Sequence, residues 1–335
     1  LPVRDGEAHL EEALRSILAQ TYRALELVVV DDGSRDGTAG ILQRLSAEDP
    51  RVRTIRTGRR GIVPALETAR GEARGTLLAR MDADDIAHPE RLAKQVELMS
   101  SAPATVLCGT QVAYFPRGRL KDGARRYEAW LNSSHTHREI ERALFVECPL
   151  AHPTFLVRAA AVERVGGYRD RGWPEDYDLV LRLWRAGGHF QQVPEVLLRW
   201  RDGPGRLSRT DERYSPDAFR ACKIHHLQNG PLAREGGGSR GVVLCGAGPV
   251  RKAMARALIA AGTSVVAFVD LSPRKIGQTI HGAPVLGPDQ IPRPGPDSSG
   301  PVVLGAVGQV GARAEIRALF EAAGWVEGRD LWMVA

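Results

Sequence analysis

The order of apolar and polar positions divides the chain into alternating helical and extended runs. Residues 8–20 put Leu10, Ala13, Leu14, Ile17 and Leu18 at the three-four spacing of one helix face. Residues 25–30 follow as a β-branched run that ends at Asp31, Asp32, Gly33 and Ser34. A second helix begins at Thr38 with Ile41, Leu42 and Leu45 inside it, 51–56 reads as a short strand, 61–71 as a helix, and 75–79 as an apolar run with the length of a buried strand. Behind the acids at 82, 84 and 85, the stretch 88–92 (HPERL) reads as a helix start with proline in its first turn. Strands and helices alternating through short connections predict a mostly parallel sheet with helices on both faces.

The pattern continues with a strand at 104–115, a polar Gly- and Arg-rich loop at 116–127, and a run at 150–155 leading into another strand. A Gly166-Gly167 turn precedes a helix opened by Trp173, Pro174, Glu175 and Asp176, with Leu181, Leu183 and Trp184 along it. A strand ends at 197–201, a flexible loop runs over 203–208, and a helix spans 215–228. Glycines at 230, 236, 237 and 238 mark a linker. After it the alternation restarts with a strand at 241–245, a Gly246-Ala247-Gly248 turn, a helix to 261 and a strand at 264–269 ending at Asp270. This is a βαβ unit with an acid after its second strand, but Arg251 stands where the dinucleotide fingerprint has its third glycine. Docking or oligomerisation therefore outweighs NAD binding for this tail, and Arg251 at a helix start is an alternative phosphate holder. The domains expected are 1–230, a linker at 231–240, and a smaller Rossmann-like α/β domain at 241–335.

On this topology the acids at 31–32 and at 82–85 fall at one sheet edge, in the crevice where open α/β sheets bind ligands. Carboxylates this close raise one another's pKa unless a cation sits among them. An all-oxygen set suits Mg²⁺ or Mn²⁺ shared with substrate phosphates. The alternative is a solvated acidic turn capping the next helix, and the triplet alone does not separate the two.

Composition narrows the picture. The 335 residues suffice for two domains, and no apolar run approaches the ~18 residues that span a bilayer. The four cysteines show no metal-ligand spacing, which points to a reducing, cytoplasmic setting without a disulfide framework. The net charge of +6 comes with five lysines among 46 basic residues, and no basic block argues for nucleic acid. Peripheral attraction to an anionic membrane face or a polyanionic acceptor fits that charge. The start at Leu1-Pro2 reads as the end of a strand whose beginning is missing from the sequence.

Three spaced stretches, 16–22 (SILAQTY), 27–38 (LVVVDDGSRDGT) and 79–85 (ARMDADD), resemble the nucleotide-binding half of family 2 glycosyltransferases of GT-A fold. The resemblance runs to about residue 225. It implies a sugar-nucleotide donor, with UDP the usual nucleotide. Asp32, Pro2, Val3, Asp82 and Arg206 are then expected to bind the nucleotide, and Asp84 with Asp82 to hold Mn²⁺ or Mg²⁺. Between neighbours, Asp31 is assigned the capping role and Asp32 the base. The acidic pair at the 173–179 helix start matches the family's Glu-Asp motif. Asp176 becomes the expected general base of an inverting transfer, with Glu175 beside it. Trp173, His152 and Asp85 are expected in the acceptor and donor-sugar pocket. The Arg199-Trp200 pair lacks the glutamine of the processive synthases' motif and no membrane helix follows, so a non-processive enzyme of bacterial surface-glycan assembly is expected, acting on a glycan or lipid-linked glycan. Homo-oligomerisation would run through the tail. Two rivals are a nucleotidyltransferase, which would want a lysine-containing phosphate loop where residues 2–6 read PVRDG, and a nucleotide-sensing protein with an inactive transferase domain.

Overall fold

The computed structural model describes residues 1–335 except 235–237, 247, 292–299 and 310. Gly236, Gly237 and Ala247 of the sequence analysis lie outside the described residues. Compactness divides the chain into two units. The first comprises Leu1–Ile140, Pro149–Arg171 and Glu175–Asp211; the second comprises Glu141–Cys148, Gly172–Pro174 and Glu212–Ala335. The sequence boundary near 230 thus falls inside the second unit, which also takes in the helix Pro216–Gln228 and the segment 141–148. Lys223 of that helix binds them together internally. Its ammonium donates to the carbonyls of Val146 (2.6 Å) and Val334 (3.0 Å), and burial lowers its pKa to about 8.

In the first unit, β1 (Pro2–Val3), β2 (Leu27–Asp31) and β3 (Val52–Arg56) form a parallel sheet in that order. β2 is buried along its length, which is why it reads as an unbroken apolar run ending in acid. Leu10 and Leu14 of the helix Leu10–Leu18 and Leu42 and Leu45 of the helix Thr38–Glu48 pack with it. A second sheet holds β4 (Leu77–Ala79), β5 (Ile86–Ala87), β6 (Thr105–Phe115), β7 (Leu156–Arg158) and β8 (His189–Arg201) in the order β4-β7-β6-β8-β5. Only β6–β8 is parallel there; β4–β7, β6–β7 and β5–β8 are antiparallel. Parallel pairing therefore characterises β1 to β3, while the sheet carrying the acids at 82–85 is mixed.

Three local expectations change. β4 is half-buried to exposed rather than buried. The acids at 82–85 link β4 to the short strand β5, not a strand to a helix; the helix Arg91–Ser101 starts later, after Pro89 and Glu90. The loop expected at 116–127 becomes helical from Asp122 to Leu131, because Leu131 is buried and Tyr127 and Trp130 pack onto a core that includes Tyr114 and Trp200.

The second unit is a six-stranded sheet built on β9 (Val242–Cys245), β10 (Val265–Val269), β11 (Thr279–Ile280), β12 (Ala283–Leu286), β13 (Val302–Gly305) and β14 (Leu331–Met333), ordered β11-β12-β10-β9-β13-β14. Every pairing but β11–β12 is parallel. Arg251 is buried and its guanidinium lies 3.3 Å from the Asp270 carboxylate, which also accepts from Lys275 (2.9 Å) and the Ser272 amide (3.0 Å). The residue read as an alternative phosphate holder is thus committed to the acid that follows the second strand. All four cysteines are buried, and burial pushes the Cys108 and Cys245 thiols up to about 12.

Candidate active site

Two acidic turns leave the sheets of the first unit, and their carboxylates are treated differently. After β2, Asp31 Oδ1 accepts the Ser34 amide (2.8 Å). Asp32 Oδ1 and Oδ2 accept the amides of Arg60 and Gly61, both at 2.8 Å, just ahead of the helix Ile62–Glu72, and the Thr57 hydroxyl adds a contact at 3.2 Å. The capping role assigned to Asp31 is not found: no side chain caps the helix Thr38–Glu48 or the helix Ile62–Glu72, Asp31 closes its own turn, and Asp32 braces the loop ahead of the second helix. Pro2 and Val3 lie alongside, the Val3 carbonyl accepting the Asp32 amide (2.8 Å). Arg4 is 3.9 Å from Asp32 Oδ2.

After β4, Asp82, Asp84 and Asp85 each present one oxygen within 4.8 Å of the others. Arg201 of β8 fixes this turn: its amide donates to Asp85 Oδ1 and its Nε to the Asp84 carbonyl, both at 2.7 Å. Asp85 is fully buried, and its Oδ2 has no hydrogen-bond partner. Burial, then the charges of Asp82 and Asp84, hold the Asp85 carboxyl well above the usual range. Burial followed by Asp82 raises Asp84 in the same direction. An orphaned buried oxygen among mutually repelling carboxylates is the donor set of a hard divalent cation, and Asp82, Asp84 and Asp85 fit Mn²⁺ or Mg²⁺.

Arg80 stands between this turn and a second acidic group. Its Nη2 pairs with Asp82 Oδ1 at 2.7 Å, and the Arg91 guanidinium holds its carbonyl at 2.6 Å. Asp176 and Glu175 open the helix Glu175–Arg185. Asp176 Oδ1 accepts the Tyr177 amide (2.8 Å). Burial lifts the Asp176 pKa to about 6, against the pull of that amide and of Arg80. His152 Nδ1 lies 3.9 Å from both Glu175 Oε1 and Asp176 Oδ2, too far for a hydrogen bond, and its Nε2 is 2.9 Å from the Tyr168 hydroxyl. Burial and then Arg80 drive the His152 pKa well below its ordinary value, so the ring is neutral. The glycine turn is needed here. Gly167 has φ +66°, and a Cβ on it would come within 2.5 Å of Glu67, whose carboxylate accepts the Tyr168 amide at 2.6 Å.

Arg206 rests with its guanidinium 4.2 Å from the Trp200 ring centroid and 5.2 Å from that of Tyr114, and its charge lowers the Asp84 pKa against burial. Trp173 groups with the second unit, its ring centroid 5.3 Å from that of His225. The structure thus brings Asp82, Asp84, Asp85 and Arg206 into one electrostatic group, sets His152 beside Glu175 and Asp176, and keeps Asp32 with Pro2 and Val3. A cavity of about 280 Å³ in this unit is lined by Arg80, Met81, Leu66, Phe155 and Tyr168 but not by the three turn acids. Sequence reasoning missed Arg80, Arg201 and Tyr168. Arg80 carried a signal, since it is a cation at the end of an apolar run directly before acids.

A family model described as Glycosyl transferase family 2 matches residues 1–166. The amylovoran biosynthesis glycosyltransferase AmsE of Erwinia amylovora is 30% identical over 207 residues, covering 62% of this chain and 75% of that protein. Among solved structures, S. aureus TarS 1-349 in complex with UDP-GlcNAc superimposes with a TM-score of 0.55 at 15% identity, over 68% of this chain and 65% of that one. The mannosyltransferase PcManGT from Pyrobaculum calidifontis, in complex with GDP-Man and Mn²⁺, does so with a TM-score of 0.51 at 20% identity, over 78% and 73%. At these identities the likeness establishes the fold. Among the described residues, no helix is long and apolar enough to cross a membrane.

Proposed function

Because this chain belongs to glycosyltransferase family 2 and its first unit has the GT-A fold, we propose that it is a metal-dependent, inverting, non-processive transferase moving a sugar from a nucleoside-diphosphate sugar, UDP-linked, to a hydroxyl of a glycan or lipid-linked glycan. The observation that carries this reading is the pairing of an all-oxygen acidic turn with a half-buried carboxyl, Asp176, whose proton affinity is raised toward neutrality.

In this reading Asp32, Pro2 and Val3 receive the base, the Asp32 carboxylate using lone pairs left over from its two amide contacts to accept an imide N–H. Asp84 and Asp82 would hold Mn²⁺ or Mg²⁺, which would supply positive charge to the diphosphate. Arg206, seated on Trp200 and Tyr114, adds a guanidinium to the departing nucleotide. Asp176 takes the acceptor proton as the hydroxyl attacks the anomeric carbon from the face opposite the nucleotide. A carboxyl titrating at about 6 is ionised at neutral pH yet basic enough to bind that proton. Glu175 and His152 keep the pocket around it, and Asp85, held through one oxygen by the Arg201 amide, would offer its other oxygen to the cation. The relative's name, an amylovoran biosynthesis glycosyltransferase, supports a place in bacterial polysaccharide biosynthesis. The second unit docks or oligomerises.

The test is a thermal-shift panel of nucleotide sugars with and without Mn²⁺, since a ligand that binds only the native state raises the melting temperature. A UDP-sugar with Mn²⁺ should shift it more than either alone. A panel in which no nucleotide sugar does so removes the reading.

A further inference from the structure

Arg80 is costly where it stands. Its side chain is only 10% exposed, one nitrogen is given to Asp82, and Nε and Nη1 are buried with no hydrogen-bond partner. Leaving guanidinium N–H groups unpaired away from water destabilises a fold, so packing alone does not account for this residue. Its charge reaches well beyond Asp82. Asp176, His152 and Tyr168 all respond to it, and Glu175 acts on it in turn. Asp82, meanwhile, serves two masters. The carboxylate that pairs with Arg80 is also one of the three oxygen donors gathered within 4.8 Å at the turn. A guanidinium and a divalent cation therefore compete for the same acid.

We propose that Arg80 is a resident counter-ion: it yields Asp82 to the arriving divalent cation and turns its charge onto the Asp176 carboxylate, so that loading the donor site readies the base. The inference rests on the cation assignment made above. No bond forms or breaks; only charge is redistributed. Before loading, Arg80 is paired with Asp82, and its charge acts on Asp176 from there. After loading, Asp82 would be neutralised from the other side, and the charge of Arg80 would be left to act on the base. The groups facing Asp176 are Glu175 and the Tyr177 amide on its own helix, His152 and Tyr168 on the segments beside it, and Arg80 with Asp82 on the turn. Of these, Arg80 is the cation whose pairing the divalent ion changes. Arg80 is thus a positioning residue, acting through Asp82 and Asp176.

The test uses the full chain, with Mn²⁺ alone as probe. Free Mn²⁺ is followed by electron paramagnetic resonance during titration of wild type, Arg80→Met and Arg80→Lys, without nucleotide. Removing the competitor should tighten Mn²⁺ binding by about three- to tenfold in Arg80→Met, whereas Arg80→Lys should stay near wild type. In saturating Mn²⁺, the acidic limb of the pH–kcat profile for hydrolysis of the most strongly binding nucleotide sugar should rise by about one unit in Arg80→Met, because Asp176 has lost a nearby positive charge. Unchanged or weaker Mn²⁺ binding in a folded Arg80→Met, or an unmoved limb, overturns the inference while leaving the cation site intact. No saturable Mn²⁺ binding by wild type removes the cation assignment and this inference with it. Should Arg80→Met fail to fold, Arg80→Gln carries the same two readouts.

Discussion

The acids at 31–32 and those at 82–85 look alike in sequence, each a cluster at the end of a strand, yet the fold uses them in opposite ways. Both oxygens of Asp32 are met by backbone amides, and Asp31 closes its own turn. Asp85 keeps an oxygen that nothing meets, and Asp84 and Asp85 are held in mutual repulsion under burial. Asp176 belongs with the second kind, since one amide offsets only part of its burial. An acid whose oxygens are satisfied holds a fold together; one left short of partners is kept at a cost in stability, and it is there that chemistry is to be sought.

The largest expected effect comes from the unsatisfied side. Asp176→Asn keeps the shape and removes the base, so turnover should fall about 10²–10⁴-fold in a transfer or hydrolysis assay while donor affinity stays near wild type. Lost donor binding instead would assign the helix start to the nucleotide pocket. The same substitution should alter stability. The folded pKa of Asp176 is raised to about 6 from 3.8. Its favourable contribution is therefore complete below about pH 4 and is lost as pH rises through 6, at a cost of up to about 3 kcal/mol by neutrality. Melting of the metal-free protein between pH 4 and 8 should show wild type losing more stability than Asp176→Asn as pH rises. His152, buried neutral, contributes in the opposite sense, so the difference between the two proteins is the quantity to read.

Asp84→Asn should weaken Mn²⁺ binding, followed by paramagnetic resonance, by about 10–100-fold and leave the melting temperature of the metal-free protein equal or higher, because it relieves repulsion. The comparison is sharpest against Asp32→Ala. That change strands two amides at the start of the helix Ile62–Glu72 and should cost about 1–3 kcal/mol in urea unfolding with Mn²⁺ affinity unchanged. If Asp32→Ala proved neutral and Asp84→Asn strongly destabilising, the contrast between the turns would be reversed.

Much of the fold was readable because period and burial agree. β2 is buried and reads as an apolar run, and Leu10, Leu14, Leu42 and Leu45 recur at helical spacing and pack together. Pairing direction was not readable. β4 and β5 are short strands whose antiparallel partners, β7 and β8, lie about 80 and 110 residues further along the chain, and nothing local encodes them. The helix Asp122–Leu131 escaped because its polar residues read as loop, and only Tyr127, Trp130 and Leu131 tie it to the core. At the site, residue types were legible but their division of labour was not. That Asp31 closes its own turn while Asp32 braces the 57–61 loop depends on which amides that loop brings near. The sequence boundary near 230 falls inside the second unit for a similar reason: a run of glycines was read as a linker, while the partners of Lys223 lie at Val146 and Val334.

The buried thiols lend the molecule a pair of clocks. Cys108 sits in β6 at the middle of its sheet and is the first unit's cysteine; Cys148, Cys222 and Cys245 belong to the second. Held as protonated thiols out of water, Cys108 and Cys245 offer almost no thiolate to an alkylating reagent until the surrounding strands part. The rate at which Cys108 is modified, set beside the rate for the other three, would time the opening of each unit separately in one native chain, without any introduced label.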